Sequence, residues 1–281
     1  MTSESLLVTT HFENINSTDI DRINALLLKN YNFDINIYAP TFINRRVIYF
    51  MQKQKISDVN ELLNRLKSKY FFEQFLFELS TNGIEFFRDT SVWENLLSLI
   101  TSYCNFKRNI NIWFPDCANG EDLYSLTILL KQFGFYDKCK ITASNISNEK
   151  ITFIKQGKYE GKNENVDLAN YSNLGFATPF TKYFKTIDTA IQLDKELLTN
   201  VTFIVSNVLQ EMESKDFDLV FFRNTMITYN KEYQIATIEN IFNSMRTGGL
   251  LIIGIKEQLL NTDAENKFKL INVEDRIFLK N

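Results

Sequence analysis

The sequence predicts a doubly wound α/β protein: a mostly parallel sheet with helices on both faces, closed by a C-terminal antiparallel hairpin and preceded by a small all-α domain. Three observations predict it. Apolar residues recur at helical spacing through the first third, and no convincing strand occurs before residue 108. Strand-like and helix-like stretches then alternate, the pattern of a parallel sheet wrapped by helices. The last stretch, "KFKLINVEDRIFLKN", reads as two β-rich runs about a turn. Only 3 prolines and 9 glycines interrupt 281 residues, so regular elements should dominate.

In order, "STDIDRINALLLKNY" carries Ile20, Ile23, Leu26, Leu27 and Tyr31 on one helical face, with Ser17 or Thr18 as cap. "APTFINRRVIYFMQKQK" starts after Pro40 with Phe42, Val47, Phe50 and Met51 inward. "SDVNELLNRLKS" follows, capped by Ser57 or Asp58, and "YFFEQFLFELS" and "SVWENLLSLITSY" continue the helical pattern. The alternating part runs "NINIWF" (strand), "GEDLYSLTILLKQF" (helix), "CKITASNI" (strand) and "SNEKITFIKQG" (helix). It closes with the strands "VTFIVSNV" and "DFDLVFFRNT", the helix "KEYQIATIENIFNSM" and the strand "GGLLIIGI".

Composition narrows the chemistry. A hydrophobic fraction of 44% supports a packed core. The net charge of -3, from 31 basic and 34 acidic residues, argues against general nucleic-acid binding. The cysteines Cys104, Cys117 and Cys139 are odd in number and form no CxxC pair, and the only histidine is His11, so no metal site and no disulfide framework are expected. That usage fits a reducing cytoplasm. The start lacks a basic and apolar leader, and no run reaches the ~20 apolar residues that span a bilayer, so no signal peptide and no membrane insertion are expected. A lone histidine also weakens any hydrolase reading.

The turn "DCANGED" (116–122) ends the first strand, where open α/β sheets bind ligands. Cys117, Ala118 and Gly120 have little bulk. Glu121 and Asp122 place negative charge at a helix start, which suits the helix dipole but disfavours a phosphate. No GxGxxG or Walker lysine occurs. The turn therefore suits a cationic or hydroxyl-rich ligand, while an ordinary capped strand-to-helix turn explains the same residues.

The run "FFRDTSVWENLL" followed by "IWFPDCANGEDLYSLTILL" resembles the chemotaxis receptor methyltransferases, the CheR family. There an FFRD-type motif precedes a strand and a small-residue turn ending in Gly-Glu-Glu-Pro-Tyr-Ser. "ITASNISNEKITFIKQGKYE", "VTFIVSNVL", "FDLVFFRNTMITYN" and "MRTGGLLIIGIKEQL" resemble further family segments in the same order, and "NFDINIYAPTFINRRVIYFM" resembles its helical domain. The resemblance implies an N-terminal helical domain over 1–84 and an S-adenosylmethionine-dependent methyltransferase domain over 85–281, with a small β-subdomain near 180–200. It also implies transfer of methyl groups to glutamate carboxylates of chemoreceptors, with S-adenosylhomocysteine as product. S-adenosylmethionine is a phosphate-free sulfonium, which agrees with the acidic turn.

By the same resemblance Arg88, Arg223 and Tyr229 are the catalytic candidates. A guanidinium can fork onto a carboxylate and fix its approach. The cofactor-binding candidates are Asn82, Arg88, Cys117, Gly120, Asp122, Asn145, Ile146, Asn207, Val208, Arg223 and Asn224. Phe86 and Phe87 read as core or pocket wall, and Glu121 as helix-terminal charge. Several positions depart from the family. Ile84 replaces a threonine, Leu123 a proline, and Thr228 a tyrosine whose place the neighbouring Tyr229 can take. Asp116 stands where a small residue is usual. Asn145 stands where most such folds put a carboxylate for the ribose hydroxyls, so Asn145→Asp is expected to tighten cofactor binding.

Arg45, Arg46, Lys53 and Lys55 read as lying on one N-terminal helix, where the family docks on acidic receptor helices; an ordinary solvated face reads equally well. The expected partner is the cytoplasmic part of a chemoreceptor, and the expected state a cytoplasmic monomer. Two other readings stand beside the receptor enzyme. One is a degenerate S-adenosylmethionine-binding regulatory or scaffold module; the other is a methyltransferase with a different substrate.

Overall fold

The computed structural model describes residues 15–80, 85–106, 109–160, 164–210, 216–259 and 264–281. The chain divides into two compact units, Met1–Leu79 and Ser80–Asn281.

The first unit is helical: α1 (Ser17–Tyr31), α2 (Pro40–Lys53), α3 (Val59–Arg65) and α4 (Lys69–Leu79). The cap of α1 is Asn16 rather than Ser17 or Thr18, because its side chain and that of Asp19 bond each other's backbone in a capping box. Asp58 caps α3 through the amides of Asn60 and Glu61. Pro40 opens α2 at the first turn, where its missing N–H costs nothing. Ile23, Leu27, Val47, Phe50 and Leu62 are fully buried. Tyr31 stacks on Phe72 at 3.9 Å, and its hydroxyl donates to the Leu66 carbonyl. The basic residues of α2 are partly engaged within this unit: Arg46 lies over the Phe42 ring, and Lys53 pairs with Glu78.

The second unit follows the sequence of α5 (Thr90–Phe106), β1 (Ile110–Phe114), α6 (Glu121–Gln132), β2 (Cys139–Asn145), α7 (Asn148–Gln156), β3 (Lys158–Glu160) and α8 (Glu164–Asn173). It continues with β4 (Phe184–Ile187), β5 (Ala190–Leu193), β6 (Val201–Val205), β7 (Phe217–Phe222), α9 (Lys231–Ser244) and β8 (Met245–Ile253). It closes with α10 (Ala264–Lys267), β9 (Phe268–Asn272) and β10 (Ile277–Lys280). Seven strands form one sheet in the order β6-β2-β1-β7-β8-β10-β9. The first five of these run parallel, and β10 is antiparallel to both β8 and β9. This is the doubly wound sheet with its closing hairpin that the alternation of elements predicts. A separate antiparallel sheet, β3-β5-β4, lies between α7 and β6 in sequence.

The central strands carry the core. β7 is buried along its whole length, as "FDLVFF" requires of a strand covered on both faces. Trp93 of α5 stacks on Phe221, Phe114 stacks on Phe221, and Trp113 on Phe217. These rings fix α5 and β1 against β7, and with them the loops that emerge at the carboxyl edge.

Candidate active site

From β1 the chain winds one way through β2 and β6, then returns to the other side through β7 and β8. The carboxyl ends of β1 and β7 therefore flank the point where the strand order reverses, the usual ligand crevice of such sheets. Four segments meet near it: Phe86–Asp89 before α5, the turn 115–120 after β1, Asn145 at the end of β2, and Arg223–Asn224 after β7. Phe87, Asp89, Ala118 and Asn224 all have positive φ, between 46° and 59°. Non-glycine residues take this conformation only where the surroundings impose it.

The turn after β1 is closed by Gly120 N–H on the Cys117 carbonyl, at 2.7 Å. Asp116 Oδ1 accepts from the Ala118 amide at 2.9 Å. Gly120 has φ of +96°, and a Cβ there would lie 2.8 Å from Ile154 Cγ2 and 2.9 Å from Tyr159 Oη. Gly120→Ala is therefore expected to destabilise the protein by about 2–4 kcal/mol, combining left-handed strain with overpacking. Urea denaturation measures this directly. Cys117 is buried, and burial pushes its thiol well up, so it is a small inert wall. Glu121 stands at the helix terminus as expected but is buried: one carboxylate oxygen has no hydrogen-bond partner, and burial pushes its carboxyl up to about 7. Asp122, by contrast, directs its carboxylate to Arg223 at 3.0 Å.

Side chains fix nearly every backbone group of Phe86–Arg88. The Phe86 N–H donates to Asp167 Oδ1 of α8, and its carbonyl accepts from Asn170 Nδ2. The Phe87 N–H donates to Ser125 Oγ of α6. The Arg88 carbonyl accepts from Trp93 Nε1 at 2.9 Å and from Arg223 at 3.4 Å. Phe86 and Phe87 themselves are core, packed against Tyr159, Tyr171 and Phe180. Five side chains, from α8, α6, α5 and the end of β7, thus hold the backbone that carries Arg88. None of Asp167, Asn170, Ser125 and Trp93 emerged from sequence reasoning. Ser125 and Trp93 sit inside the quoted motifs, but nothing local shows that they serve the segment 86–88.

Asp167 carries a testable cost. Burial, together with Glu85 and Glu164, pushes its carboxyl up to about 6 despite the Phe86 amide that pulls it down. A folded-state value above the unfolded one means that protonation stabilises the fold. That stabilisation is complete below about pH 4 and lost as the pH rises through about 6. Asp167→Asn keeps the acceptor and removes the charge, so it is expected to raise Tm at pH 8 while leaving it nearly unchanged at pH 4, measured by thermal melts.

Arg223 is the electrostatic centre. Its side chain is 0% exposed, and it donates to Asp122 Oδ1 at 3.0 Å and to Asp89 Oδ2 at 2.6 Å, while its guanidinium lies 5.8 Å from the Trp93 ring. Arg88 stands beside it, 4.0 Å from Asp89, with its side chain 34% exposed. Two acids and two guanidiniums form a formally neutral quartet. Burial raises the Asp122 carboxyl, and the attraction of Arg223 opposes that. The two catalytic arginines of the sequence reading thus differ in kind: Arg223 is consumed by its acids, and Arg88 is open. Asn224 follows in a left-handed conformation held by Glu257, whose buried carboxylate accepts the amides of Asn224, Gly254 and Ile227. Glu257 lies 33 residues from Asn224, so only the fold reveals this anchor.

The remaining candidates are spread about the same edge. Thr228 is buried and donates to the Thr225 carbonyl, while the Tyr229 ring lies against Tyr233 at 4.8 Å. Asn145 is 1% exposed: its amide donates to Ser80 Oγ and Asp116 Oδ1, and its carbonyl accepts from Ser147 N–H. Ile146 is partly exposed beside it. Beyond β6, Asn207 is exposed and accepts the amides of Leu209 and Gln210, and Val208 is buried. Asn82 and the departure at Ile84 lie outside the described residues.

Comparison with known proteins gives this arrangement its class. Residues 82–277 match the family model described as CheR methyltransferase, SAM binding domain, the domain of an S-adenosylmethionine-dependent methyltransferase. The chain belongs to the CheR methyltransferase family. It is 27% identical over 268 residues to a putative methyltransferase Cher3 of Pseudomonas putida, covering 94% of this chain and 98% of that one. It is 24% identical over 236 residues to a chemotaxis protein methyltransferase of Listeria innocua, covering 83% of this chain and 87% of that one. Among solved structures, magnesium protoporphyrin IX methyltransferase from Synechocystis aligns with 74% of this chain and 85% of that one, at 13% identity and a TM-score of 0.38.

The donor set fits the cofactor of this class. Asp116 and Asp122 are carboxylates at the carboxyl edge, and the first turn of α6 carries the acids Glu121 and Asp122, which disfavour a phosphate there. Such a set suits a sulfonium and ribose hydroxyls. S-adenosylmethionine is the methyl donor of this enzyme. No helix among the described residues is long and apolar enough to cross a membrane.

Proposed function

We propose that this methyltransferase forms methyl esters on glutamate side chains in the cytoplasmic part of a chemoreceptor. One observation carries the reading: Arg88, its backbone carbonyl held by Trp93, has a partly exposed guanidinium paired only at 4.0 Å with Asp89, whose close partner is Arg223. A loosely paired, outward guanidinium suits an anionic acceptor. The two named relatives, a putative and a chemotaxis protein methyltransferase, support the same direction.

The chemistry asks little of the protein beyond alignment. Bound S-adenosylmethionine supplies a methyl group on a sulfonium, open to attack by an oxygen. A glutamate side chain is already ionised at neutral pH, so no residue need remove a proton. That agrees with a site drawn from Arg88, Asp89, Asp122 and Arg223, and with a chain whose only histidine is His11. Arg88 orients the acceptor carboxylate by a charged, directional contact. Arg223 holds Asp89 and Asp122 in place, and Asp89 in turn stands beside Arg88.

Incubation of the purified protein with methyl-labelled S-adenosylmethionine and chemoreceptor cytoplasmic fragments tests this. Base-labile label on glutamate residues is expected. Label that survives base points to another acceptor, and tight S-adenosylhomocysteine binding with no label in any substrate points to a regulatory module.

A further inference from the structure

β1 and β2 are adjacent and parallel, with Phe114 opposite Ala143, so the residues that follow them lie side by side at the crevice. Two of these residues form a pair: Asn145 Nδ2 donates to Asp116 Oδ1 at 2.9 Å. They face in different directions. Asn145 is committed inward, to Ser80, Asp116 and Ser147, with its one side-chain oxygen already in use. Asp116 uses Oδ1 for Asn145 and for the Ala118 amide, keeps part of its exposure, and its Oδ2 makes no hydrogen bond among the described residues. That oxygen is also not among the buried unpaired atoms.

Three neighbours partly offset the burial that raises the Asp116 carboxyl. Lys150 is 0% exposed, donates to Asn119 Oδ1 of the same turn, and adds positive potential at Asp116. Burial raises the Asp116 carboxyl, while the Ala118 amide, Lys150 and Asn145 pull it down. Glu121, Asp122 and the Cys117 thiol are the other titratable groups on this turn, and Tyr233 of α9 faces Asp116 across it. A ribose offers two neighbouring hydroxyl donors, and a carboxylate is the side chain with acceptor capacity for both. An amide with its oxygen occupied is not.

We infer that Asp116, held by Asn145, is the acceptor for the ribose hydroxyls of the methyl donor, in place of a residue at 145. This rests on the cofactor assignment above. Within it, the acid that reads the sugar has moved from the end of β2 to the loop after β1, and Asn145 is a positioning residue. The expectation that Asn145→Asp tightens binding is thereby reversed. A second carboxylate 2.9 Å from Asp116 repels it or takes up a proton.

Calorimetric binding of S-adenosylhomocysteine and its 2′-deoxy analogue tests the inference without any turnover. Native protein is expected to prefer the ribose form by at least about tenfold, the loss typical of a charged hydrogen bond. Asp116→Asn keeps the turn acceptor for Ala118. It is expected to bind the ribose form about 10–100-fold more weakly and to discriminate between the two by less than about threefold. Asn145→Asp is expected to weaken binding. A native protein that binds both forms equally overturns the assignment, as does an Asp116→Asn variant that loses both in parallel, the mark of a merely structural turn. So does tighter binding by Asn145→Asp. Native protein that binds neither form overturns the cofactor reading itself, and this inference with it.

Discussion

Arg223→Ala is expected to lower stability by about 3–5 kcal/mol and to abolish methyl transfer, because it leaves Asp89 and Asp122 without their buried partner. For a unit of this size the loss corresponds to a fall in Tm of roughly 6–20 °C, read by calorimetry. The sequence alone suggests a different outcome, a dead enzyme with an intact fold, since a charged residue at a strand tip reads as a substrate contact. Its complete burial between two acids makes it a structural cation first. Arg223→Lys separates the two consequences. A single ammonium keeps the charge but cannot fork to both acids, so it is expected to recover part of the stability and little of the activity. If Arg223→Ala melts like the native protein, the quartet is not a unit, and the aim of Arg88 does not depend on it.

Arg88→Ala is expected to lower kcat/KM for the receptor acceptor by about 10²–10³, the usual effect of removing one oriented electrostatic donor. Stability should change little, since the side chain is partly exposed and its only ion pair among the described residues is loose at 4.0 Å. The companion measurement is S-adenosylhomocysteine affinity. An unchanged affinity with reduced transfer assigns Arg88 to the acceptor. A parallel fall assigns it to the α-carboxylate of the donor.

The sheet was largely readable in the sequence because its signals are local. "DLVFF" is a doubly buried strand, "GEDLYSLTILL" an amphipathic helix, and the final hairpin follows from two short β-rich runs. The positions of Asp122 and Arg223 at one edge follow from the ends of β1 and β7, which sequence also marks, whereas Arg88 precedes α5 and is marked by the family motif. Their pairing does not. Whether Arg223 faces a substrate or two acids depends on contacts 134 and 101 residues away. The same holds for Asp167 on Phe86 and Glu257 on Asn224, at separations of 81 and 33 residues. Asn145 shows the limit most plainly: its identity is visible, but the direction of its amide is set by Ser80 and Asp116.

The left-handed residues Phe87, Asp89, Ala118 and Asn224 each hold a costly backbone shape, of order 1–3 kcal/mol apiece. Selection for heat resistance alone would therefore relax Ala118 first, towards glycine, since Phe87 is core and Asp89 pairs with Arg223. The resulting hardier protein would trade catalytic competence for robustness.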